Sequence, residues 1–318
     1  MNQSALYLIY RVFFIQFEKG LHMEIAVLAD LHSNYLALEA CLRETKKRNI
    51  ENYIFLGDYA GELPHSQKTM SILHDLQKTA NCTFIRGNRE DYMLNYKKNG
   101  EKGWNDFCSA SGALLNTYEE LTEENLSFFD SLPIQFVKEY PDMEPILCCH
   151  GSPVSSNEYV VLESERAKEI LEQSKVSYVL YGHTHIQGVT EYQGKFLINP
   201  GAVGSPINSP DAKAQFAILK SNQKKWAVEL LSIEYPLEQC IEELYESDLP
   251  KRAPVWTRLT EYCLRFGVPE MSTQVLKRAT EICMEREGEC IWPDIPEKDW
   301  EQAAVEFEID KRISECKR

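Results

Sequence analysis

The stretch IAVLADLH, residues 25–32, joins a run of five apolar residues to the motif Asp30-Leu31-His32. Continuous apolar runs, without in/out alternation, are typical of strands that are covered on both faces. Four further short motifs also come directly after such runs, so the pattern predicts an α/β fold with buried strands. They are Gly57-Asp58, Gly87-Asn88-Arg89-Glu90, His150-Gly151 and Gly182-His183-Thr184-His185.

The five motifs are expected to meet in space. Open α/β sheets bind their ligands outside the carboxyl ends of the strands, so polar clusters that follow five strands converge at one edge. A single histidine after a strand is usually a hydrogen-bonded structural residue. Here, however, four of the seven histidines fall in these motifs, together with two carboxylates and one amide. This set is large enough for two adjacent metal ions.

The ligand types also indicate which metals fit. Imidazole, carboxylate and amide ligands without a thiolate suit Mn, Fe, Ni, Zn or Mg, and manganese is favoured here. Two such ions about 3.5–4 Å apart clamp a phosphoryl group and lower the pKa of a bridging water toward neutrality. The hydroxide formed in this way attacks phosphorus, so no protein nucleophile is required.

The ordered motifs resemble those of the calcineurin-like metallophosphoesterases, a superfamily of dinuclear-metal phosphatases and phosphodiesterases. The family pattern is D-x-H, G-D, G-N-H-D/E, H and G-H-x-H, and the resemblance covers roughly residues 24–233. Compact motif spacing and the stretch NPGAVGSP, residues 199–206, are similar to the small bacterial and archaeal phosphodiesterase-type subgroup. The resemblance implies a four-layer α/β/β/α sandwich.

The same resemblance implies a role for each motif residue. Asp58 bridges the two ions and, with His150 and Arg89, takes part in catalysis. The remaining ligands divide into two sets: Asp30, His32 and His185 hold one ion, and Asn88, His150 and His183 hold the other.

Arg89 departs from the family pattern, which has histidine at this position. A guanidinium donates a fork of hydrogen bonds to phosphate but does not release a proton near neutral pH. One hypothesis is that Arg89 binds the phosphate and offsets its charge while general-acid help is lost, which favours substrates with good leaving groups. The alternative is that Arg89 turns away and pairs with a nearby carboxylate.

Two segments around the motifs bear on substrate binding. Asn34 is a good N-cap for a helix that ends near Arg48, and the helix N-terminus favours anions, so Asn34 is predicted to bind substrate. Ser66 is predicted to cap a second helix. Residues 91–145 form an insertion, which in this family often overhangs the metals and shapes the pocket; plain helical packing is the alternative.

The chain is expected to contain three regions. The resemblance implies that residues 23–235 form the catalytic domain. Residues 236–318 carry apolar residues at helical spacing and frequent prolines, which predicts about four short helices. These helices are expected to pack on the catalytic domain, with dimerisation or partner binding as the alternative. Residues 1–22 form an N-terminal extension that we interpret as an over-long start, with Met23 as the natural beginning.

Composition sets limits on partners and location. The 34 basic and 49 acidic side chains give a formal net charge of −15, which argues against binding to extended nucleic acids but does not exclude a nucleotide. Ten cysteines without a C-x-x-C pair indicate free thiols in the cytoplasm. The apolar segment 5–17 is too short to span a membrane, and tethering to one is the minor interpretation.

The sequence therefore predicts a metal-dependent hydrolase of phosphate esters or anhydrides. A phosphodiesterase or nucleotide-directed phosphohydrolase is the leading interpretation, and a phosphomonoesterase or protein phosphatase is the next. A third interpretation is a catalytically weak scaffold of the same fold that binds partners through the C-terminal helices. The expected partner is a small phosphorylated substrate, and a homo-oligomer is compatible with the sequence.

Overall fold

The first apolar run forms β1 (Glu24–Leu28), the central strand of a five-stranded sheet. It pairs in parallel with β2 (Asn52–Phe55), which pairs in parallel with β3 (Asn81–Phe84). On the other side of β1, β9 (Ala214–Asn222) is antiparallel, and β10 (Lys225–Ile233) forms the edge. The carboxyl ends of three parallel strands therefore lie side by side.

The structure is a computed structural model and describes residues 23–207, 209, 212–268 and 270–316.

A second five-stranded sheet holds the later motifs. Its central strands β5 (Ile146–Cys149), β6 (Tyr178–Leu180) and β8 (Lys195–Asn199) are parallel to one another. The two edge strands, β4 (Gln135–Lys138) and β7 (Gly188–Tyr192), are antiparallel to their neighbours. The order across this sheet is β4-β5-β6-β8-β7.

The two sheets pack face to face. Successive residues of each strand point to opposite sides, so one set of side chains faces the other sheet and the other set faces the helices. Val27 and Ile54 lie in the core between the sheets, in contact with residues of the second sheet such as Cys148 and Leu180. Leu28 lies on the other face of the first sheet, in the core beneath the helices. This arrangement explains why the strands are apolar without alternation.

Helices cover both outer faces. The helices α1 (Tyr35–Lys47) and α2 (Ser66–Gln77) pack on the first sheet, where Leu38 and Met70 share its outer core. The helix α6 (Glu165–Gln173) packs on the second sheet. The predicted four-layer α/β/β/α sandwich is therefore confirmed.

The remaining helices of the described chain form two groups. Three lie between β3 and β4: α3 (Asn88–Lys98), α4 (Ser109–Glu120) and α5 (Glu123–Ser131). Six follow β10: α7 (Leu237–Glu246), α8 (Leu249–Arg252), α9 (Pro254–Phe266), α10 (Glu270–Glu287), α11 (Glu297–Glu306) and α12 (Ile309–Cys316).

The C-terminal helices have a core of their own around Trp300, whose side chain is fully buried. They also share an apolar cluster with the preceding part of the chain, where Leu244 of α7 packs with Leu36 of α1 and Ala113 of α4. The helices predicted from apolar residues at helical spacing correspond to α7, α9, α10 and α11. The helices α8 and α12 were not predicted, because a helix of four or eight residues is too short for a recognisable stripe.

One predicted helix cap is present and one is wrong. Asn34 caps α1, because its Oδ1 accepts a hydrogen bond from the backbone N–H of Ala37 at 3.0 Å. Ser66 does not cap α2 but is its first residue. Its backbone N–H donates to Glu120 Oε2 at 2.6 Å, so a carboxylate from α4 replaces the local cap. Such a long-range partner has no local sequence signal.

None of the described helices is long and apolar enough to cross a membrane. The predicted N-terminal extension, residues 1–22, lies outside the described residues.

Candidate metal centre

The seven predicted metal ligands lie just beyond the carboxyl ends of five strands. Asp30 and His32 follow β1, and Asp58 follows β2. Asn88 is the first residue of α3, shortly after β3, and His150 follows β5. The pair His183 and His185 follows β6. The two sheets therefore bring all seven residues to one edge of the sandwich, as expected from the strand pattern.

Asp30, His32 and His185 form the first ligand group, whose ligand atoms all lie within 4.8 Å of one another. The Nε2 atoms of His32 and His185 are 3.0 Å apart. Oδ1 of Asp30 lies 3.4 Å from Nε2 of His185. Three electron-rich atoms this close to one another are the donor set of a cation.

Asp58, His150 and His183 form the second group, again with ligand atoms within 4.8 Å of one another. Nε2 of His150 lies 3.0 Å from Oδ1 of Asn88 and 3.3 Å from Oδ1 of Asp58. The amide oxygen of Asn88 is thus available as a fourth ligand atom of this group.

Asp58 lies between the two groups. Its Oδ1 is the oxygen near His150, whereas its Oδ2 lies 3.7 Å from Nε2 of His32 in the first group. One carboxylate therefore offers one oxygen to each group. This is the position required of a bridging ligand.

The outward ring nitrogens of two histidines are hydrogen-bonded to backbone carbonyls. His185 Nδ1 donates to the carbonyl of Ser205 at 2.7 Å, and His150 Nδ1 donates to that of Leu56 at 2.6 Å. Because each Nδ1 is occupied by this bond, Nε2 is the ring nitrogen that is directed at the site. Histidines that bind metals are oriented in this way.

The electrostatics of the site favour cations. Burial lowers the pKa of His150, but the carboxylates of Asp58 and Asp30 outweigh burial and raise that pKa to about 10. Burial and the neighbouring His185 lower the pKa of His32 to about 4. The carboxylates thus attract positive charge. Burial keeps some of the imidazoles, such as that of His32, from supplying this charge by protonation. Two divalent ions satisfy both conditions, so the residues present fit a dinuclear centre.

Five of the ligand residues have left-handed backbone conformations, which cost non-glycine residues about 1–3 kcal/mol each. Their φ angles lie between 45° and 63°. Hydrogen bonds between the motif loops hold this backbone: Asp30 N–H donates to the carbonyl of Gly57, and His32 N–H donates to that of Asp58. The five residues are Asp30, His32, Asp58, His183 and His185.

Glu90 fastens two of the motif loops together. Its buried carboxylate accepts hydrogen bonds from the backbone N–H groups of Asp58 at 2.9 Å, Tyr59 at 2.8 Å and Gly87 at 2.8 Å. Burial and the nearby Asp58 raise the pKa of Glu90 to about 7. Sequence reasoning missed this role, although a glutamate three residues after the N-cap residue, here Gly87, often accepts a hydrogen bond from the N-cap N–H, as Glu90 does.

Gly87 itself is required by the close approach of these loops. A Cβ at this position would overlap Oδ1 of Asp58, so no larger residue fits without moving the Asp58 carboxylate.

Arg89 forms an ion pair with Glu62 through Nη2. The other oxygen of Glu62 accepts a hydrogen bond from Nε1 of Trp256 at 2.6 Å. The pairing with a carboxylate that the sequence left open as an alternative is therefore present. The phosphate-binding role of Arg89 stays a prediction.

Comparison with known proteins decides the family. The model of the calcineurin-like phosphoesterase superfamily domain matches residues 23–224, well over half of the chain.

The chain belongs to the calcineurin-like phosphoesterase superfamily.

The phosphoesterase is also similar to individual proteins. It is 29% identical over 244 residues to an uncharacterised protein of Methanocaldococcus jannaschii, a match that covers 71% of this chain and 94% of the relative. A metallophosphoesterase from Sphaerobacter thermophilus matches with a TM-score of 0.61 and 23% identity, covering 77% of this chain and 99% of its own. A hypothetical protein from Pyrococcus horikoshii matches with a TM-score of 0.65 and 23% identity, covering 77% and 98%. The two solved structures support the fold.

Family membership and the two ligand groups together show a metal-dependent phosphoesterase. They indicate divalent metal ions without selecting one element. The relatives are matched almost over their whole length, whereas about a quarter of this chain is not matched by them.

Asn34 is buried, and its side chain bonds to the backbone. Its Oδ1 caps α1, and its Nδ2 donates to the carbonyl of Gly204 at 3.0 Å, which fixes the loop after β8. Asn34 does not line either of the two cavities in front of the ligand groups. Its substrate-binding role stays a prediction.

A cavity of about 900 Å³ lies in front of His183 and His185. Its far wall is formed by α9 and α10, and includes Trp256, Thr273 and Lys277. The sequence predicted only packing or partner binding for these helices. Their part in the cavity was missed because the residues that line it form no recognisable motif.

A second cavity of about 320 Å³ adjoins Asn88 and Arg89. Ala110, Leu114 and Thr117 of α4 line it, so part of the 91–145 insertion does lie beside the ligands. Other aromatic residues of the insertion pack on one another, since the rings of Tyr96 and Trp104 are stacked 4.0 Å apart. The role of the insertion in shaping the substrate pocket stays a prediction.

Substitution of Glu90 by glutamine is expected to destabilise the phosphoesterase by about 1–3 kcal/mol, because an amide NH₂ then faces backbone N–H donors that have no other acceptor. Urea denaturation measures this change. The control is Glu242→Gln on the exposed face of α7, which is expected to stay within about 0.5 kcal/mol of the wild type. Equal denaturation midpoints for the two variants would contradict the role given to Glu90.

Proposed function

We propose that the phosphoesterase hydrolyses phosphodiesters or nucleotide-type phosphoanhydrides at a dinuclear metal centre. The observation that carries this proposal is the position of Asp58, which offers one oxygen to each ligand group. Two bound divalent ions supply a clamp for the phosphoryl group and an activated water at neutral pH. Manganese is the ion that we favour.

The ligand residues take the roles assigned from the family pattern. In this proposal Asp30, His32 and His185 hold one ion, and Asp58 is shared. The second set consists of Asn88, His150 and His183. The hydrogen bonds from Nδ1 of His150 and His185 to backbone carbonyls keep the opposite nitrogens aimed at the ions.

Arg89 is proposed to bind the phosphoryl oxygens. Its guanidinium lines both cavities beside the ligand groups, while Nη2 is held by Glu62. Burial lowers the pKa of Arg89, but Glu62 and Asp58 outweigh burial and raise it, so the group stays charged. A permanently charged guanidinium stabilises negative charge on phosphate and donates no proton to the leaving group.

The size and charge of the larger cavity support a substrate bigger than a simple phosphate. About 900 Å³ lies within the range of pockets that enclose nucleotide-sized ligands. The cavity is lined by two basic residues, Arg89 and Lys277, and one acidic residue, Glu62, which is paired with Arg89. An anionic substrate therefore meets a favourable lining, although the whole chain has a formal net charge of −15.

Asp58→Ala is expected to abolish shared coordination and to lower kcat by at least about 1,000-fold on an aryl phosphodiester. Metal analysis of the purified protein is expected to give two ions per chain for the wild type and fewer for the variant. Asp75→Ala on the surface of α2 serves as the control and is expected to match the wild type in both measurements. Activity that survives Asp58→Ala would point to a contaminating enzyme.

A series of aryl phosphodiesters tests the role of Arg89. Because this side chain cannot protonate the leaving group, kcat is expected to rise steeply as the pKa of the leaving phenol falls. The variant Arg89→His restores the residue of the family pattern and is expected to flatten this dependence. A wild-type rate that does not vary with the pKa of the phenol would refute the assignment.

Lys277→Gln tests whether the larger cavity holds the substrate. We expect KM for a dinucleotide to rise by about 2- to 5-fold at low salt, as is typical of one exposed charge contact, and the difference to shrink at high salt. KM for bis(4-nitrophenyl) phosphate, which is smaller and carries a single phosphate, is expected to change less than KM for the dinucleotide. Lys251→Gln on the exposed surface of α8 is the control, and an equal effect of both variants would argue against binding in this cavity.

A higher kcat/KM for monoesters than for any diester would favour a phosphomonoesterase.

A further inference from the structure

We propose that Glu62 and Trp256 are positioning residues that hold Arg89 beside the metal centre, so that the C-terminal helices are an integral part of the active site. This inference rests on the proposed function, because it concerns the residue that is to bind the phosphoryl group. It assigns a role to two residues that lie outside all five sequence motifs.

Glu62 connects Arg89 to α9 through its two carboxylate oxygens. Oε1 pairs with Nη2 of Arg89, and Oε2 accepts from the indole Nε1 of Trp256 at 2.6 Å. Among the described residues, Glu62 is the hydrogen-bonding partner of the Arg89 guanidinium, and the buried Nε of Arg89 has none. The orientation of the guanidinium therefore depends on this one carboxylate, with the ring of Tyr92 as a weaker contact 5.9 Å away.

The backbone around Glu62 is held in an uncommon conformation that places the carboxylate there. Glu62 has a φ of 60°, and the preceding Gly61 has a φ of 116°. The N–H of Gly61 donates to Oγ of Ser33 at 3.0 Å, and the N–H of Leu63 donates to the carbonyl of Gly61 at 2.7 Å. A left-handed glutamate is maintained only when the surrounding structure over-determines it, and such residues concentrate at functional sites.

Trp256 is fixed independently of Glu62. Its backbone N–H donates to Oγ of Ser109 on α4 at 3.0 Å. Its ring meets that of Trp300 edge to face, with centroids 5.9 Å apart. An indole that is anchored in this way can direct its N–H at a fixed point, and the carboxylate of Glu62 occupies that point.

The three residues lie beside both cavities in front of the ligand groups. Arg89, Glu62 and Trp256 each line both the larger and the smaller cavity, as does the ligand His183. Movement of α9 would therefore alter the position of Arg89 next to the reacting phosphate. A surface ion pair remote from the cavities would have no such effect.

Kinetics of single and double variants of the full chain test this proposal. Trp256→Phe removes the indole N–H bond to Glu62 and keeps a smaller aromatic ring, and we expect kcat/KM for an aryl phosphodiester to fall by about 3- to 10-fold. Glu62→Gln removes the charge that holds Arg89 and is expected to lower it by about 10- to 100-fold. In an Arg89→Ala background, neither substitution is expected to change kcat/KM by more than about 2-fold, because both act through Arg89.

The control is Trp226→Phe in β10 of the first sheet. This substitution also removes an indole N–H bond, which Trp226 donates to the carbonyl of Glu144 at 2.8 Å. It lies outside both cavities, so its kcat/KM is expected to stay within about 2-fold of the wild type. Metal content and thermal midpoint are measured for every variant, since a merely structural role would lower both. Effects that multiply in the Arg89→Ala background would overturn the proposal.

Binding of inorganic phosphate to the metal-loaded protein, followed by calorimetry, gives a second readout that does not need turnover. Weaker phosphate binding in Glu62→Gln and Trp256→Phe, but not in Trp226→Phe, is expected, and equal binding in all variants would overturn the proposal. If the wild type binds phosphate yet hydrolyses no phosphoester, the proposed function fails while this measurement still decides the positioning role.

Discussion

Two buried carboxylates, Asp30 and Asp58, set the constraint on which the rest of the site depends. Charged groups without solvent are strongly unfavourable unless opposite charge and hydrogen-bond donors surround them. Here the backbone N–H of His183 donates to Asp30, and that of Arg89 donates to Asp58. Imidazoles complete the surroundings of the two carboxylates, and the lowered pKa of His32 keeps that ring unprotonated. The site therefore favours divalent cations as the source of positive charge.

The backbone of the motif loops follows from the same constraint. Each strand must end at the same edge and turn at once, so that its polar residue enters the buried site. Left-handed residues make these turns, and Glu90 binds three backbone N–H groups that would otherwise be buried without partners. The strands that precede these turns are covered on both faces, and their packing stabilises the strained backbone conformations.

The sequence predicted what depends on local pattern. Apolar runs located β1, β2 and β5, and the polar residues after them marked the ligand set and the edge where it assembles. What the sequence could not predict depends on contacts between distant segments. The carboxylate that receives the first turn of α2 comes from Glu120, and the link between Glu62 and Trp256 joins residues 194 positions apart. No local spacing encodes such pairs, so the part of α9 in the site appeared only in the structure. The sandwich thus meets helices that lie beyond residues 23–224, the part matched by the family model, and α9 and α10 of these form the far wall of the larger cavity.

We propose that one carboxylate, Asp58, joins two metal ions into a single centre. Electron paramagnetic resonance of the full chain loaded with two equivalents of Mn²⁺ measures whether the two ions are coupled. We expect the spectrum of an exchange-coupled pair, because ions that share a carboxylate lie about 3.5–4 Å apart. The six-line spectrum of isolated Mn²⁺ at full loading would contradict it.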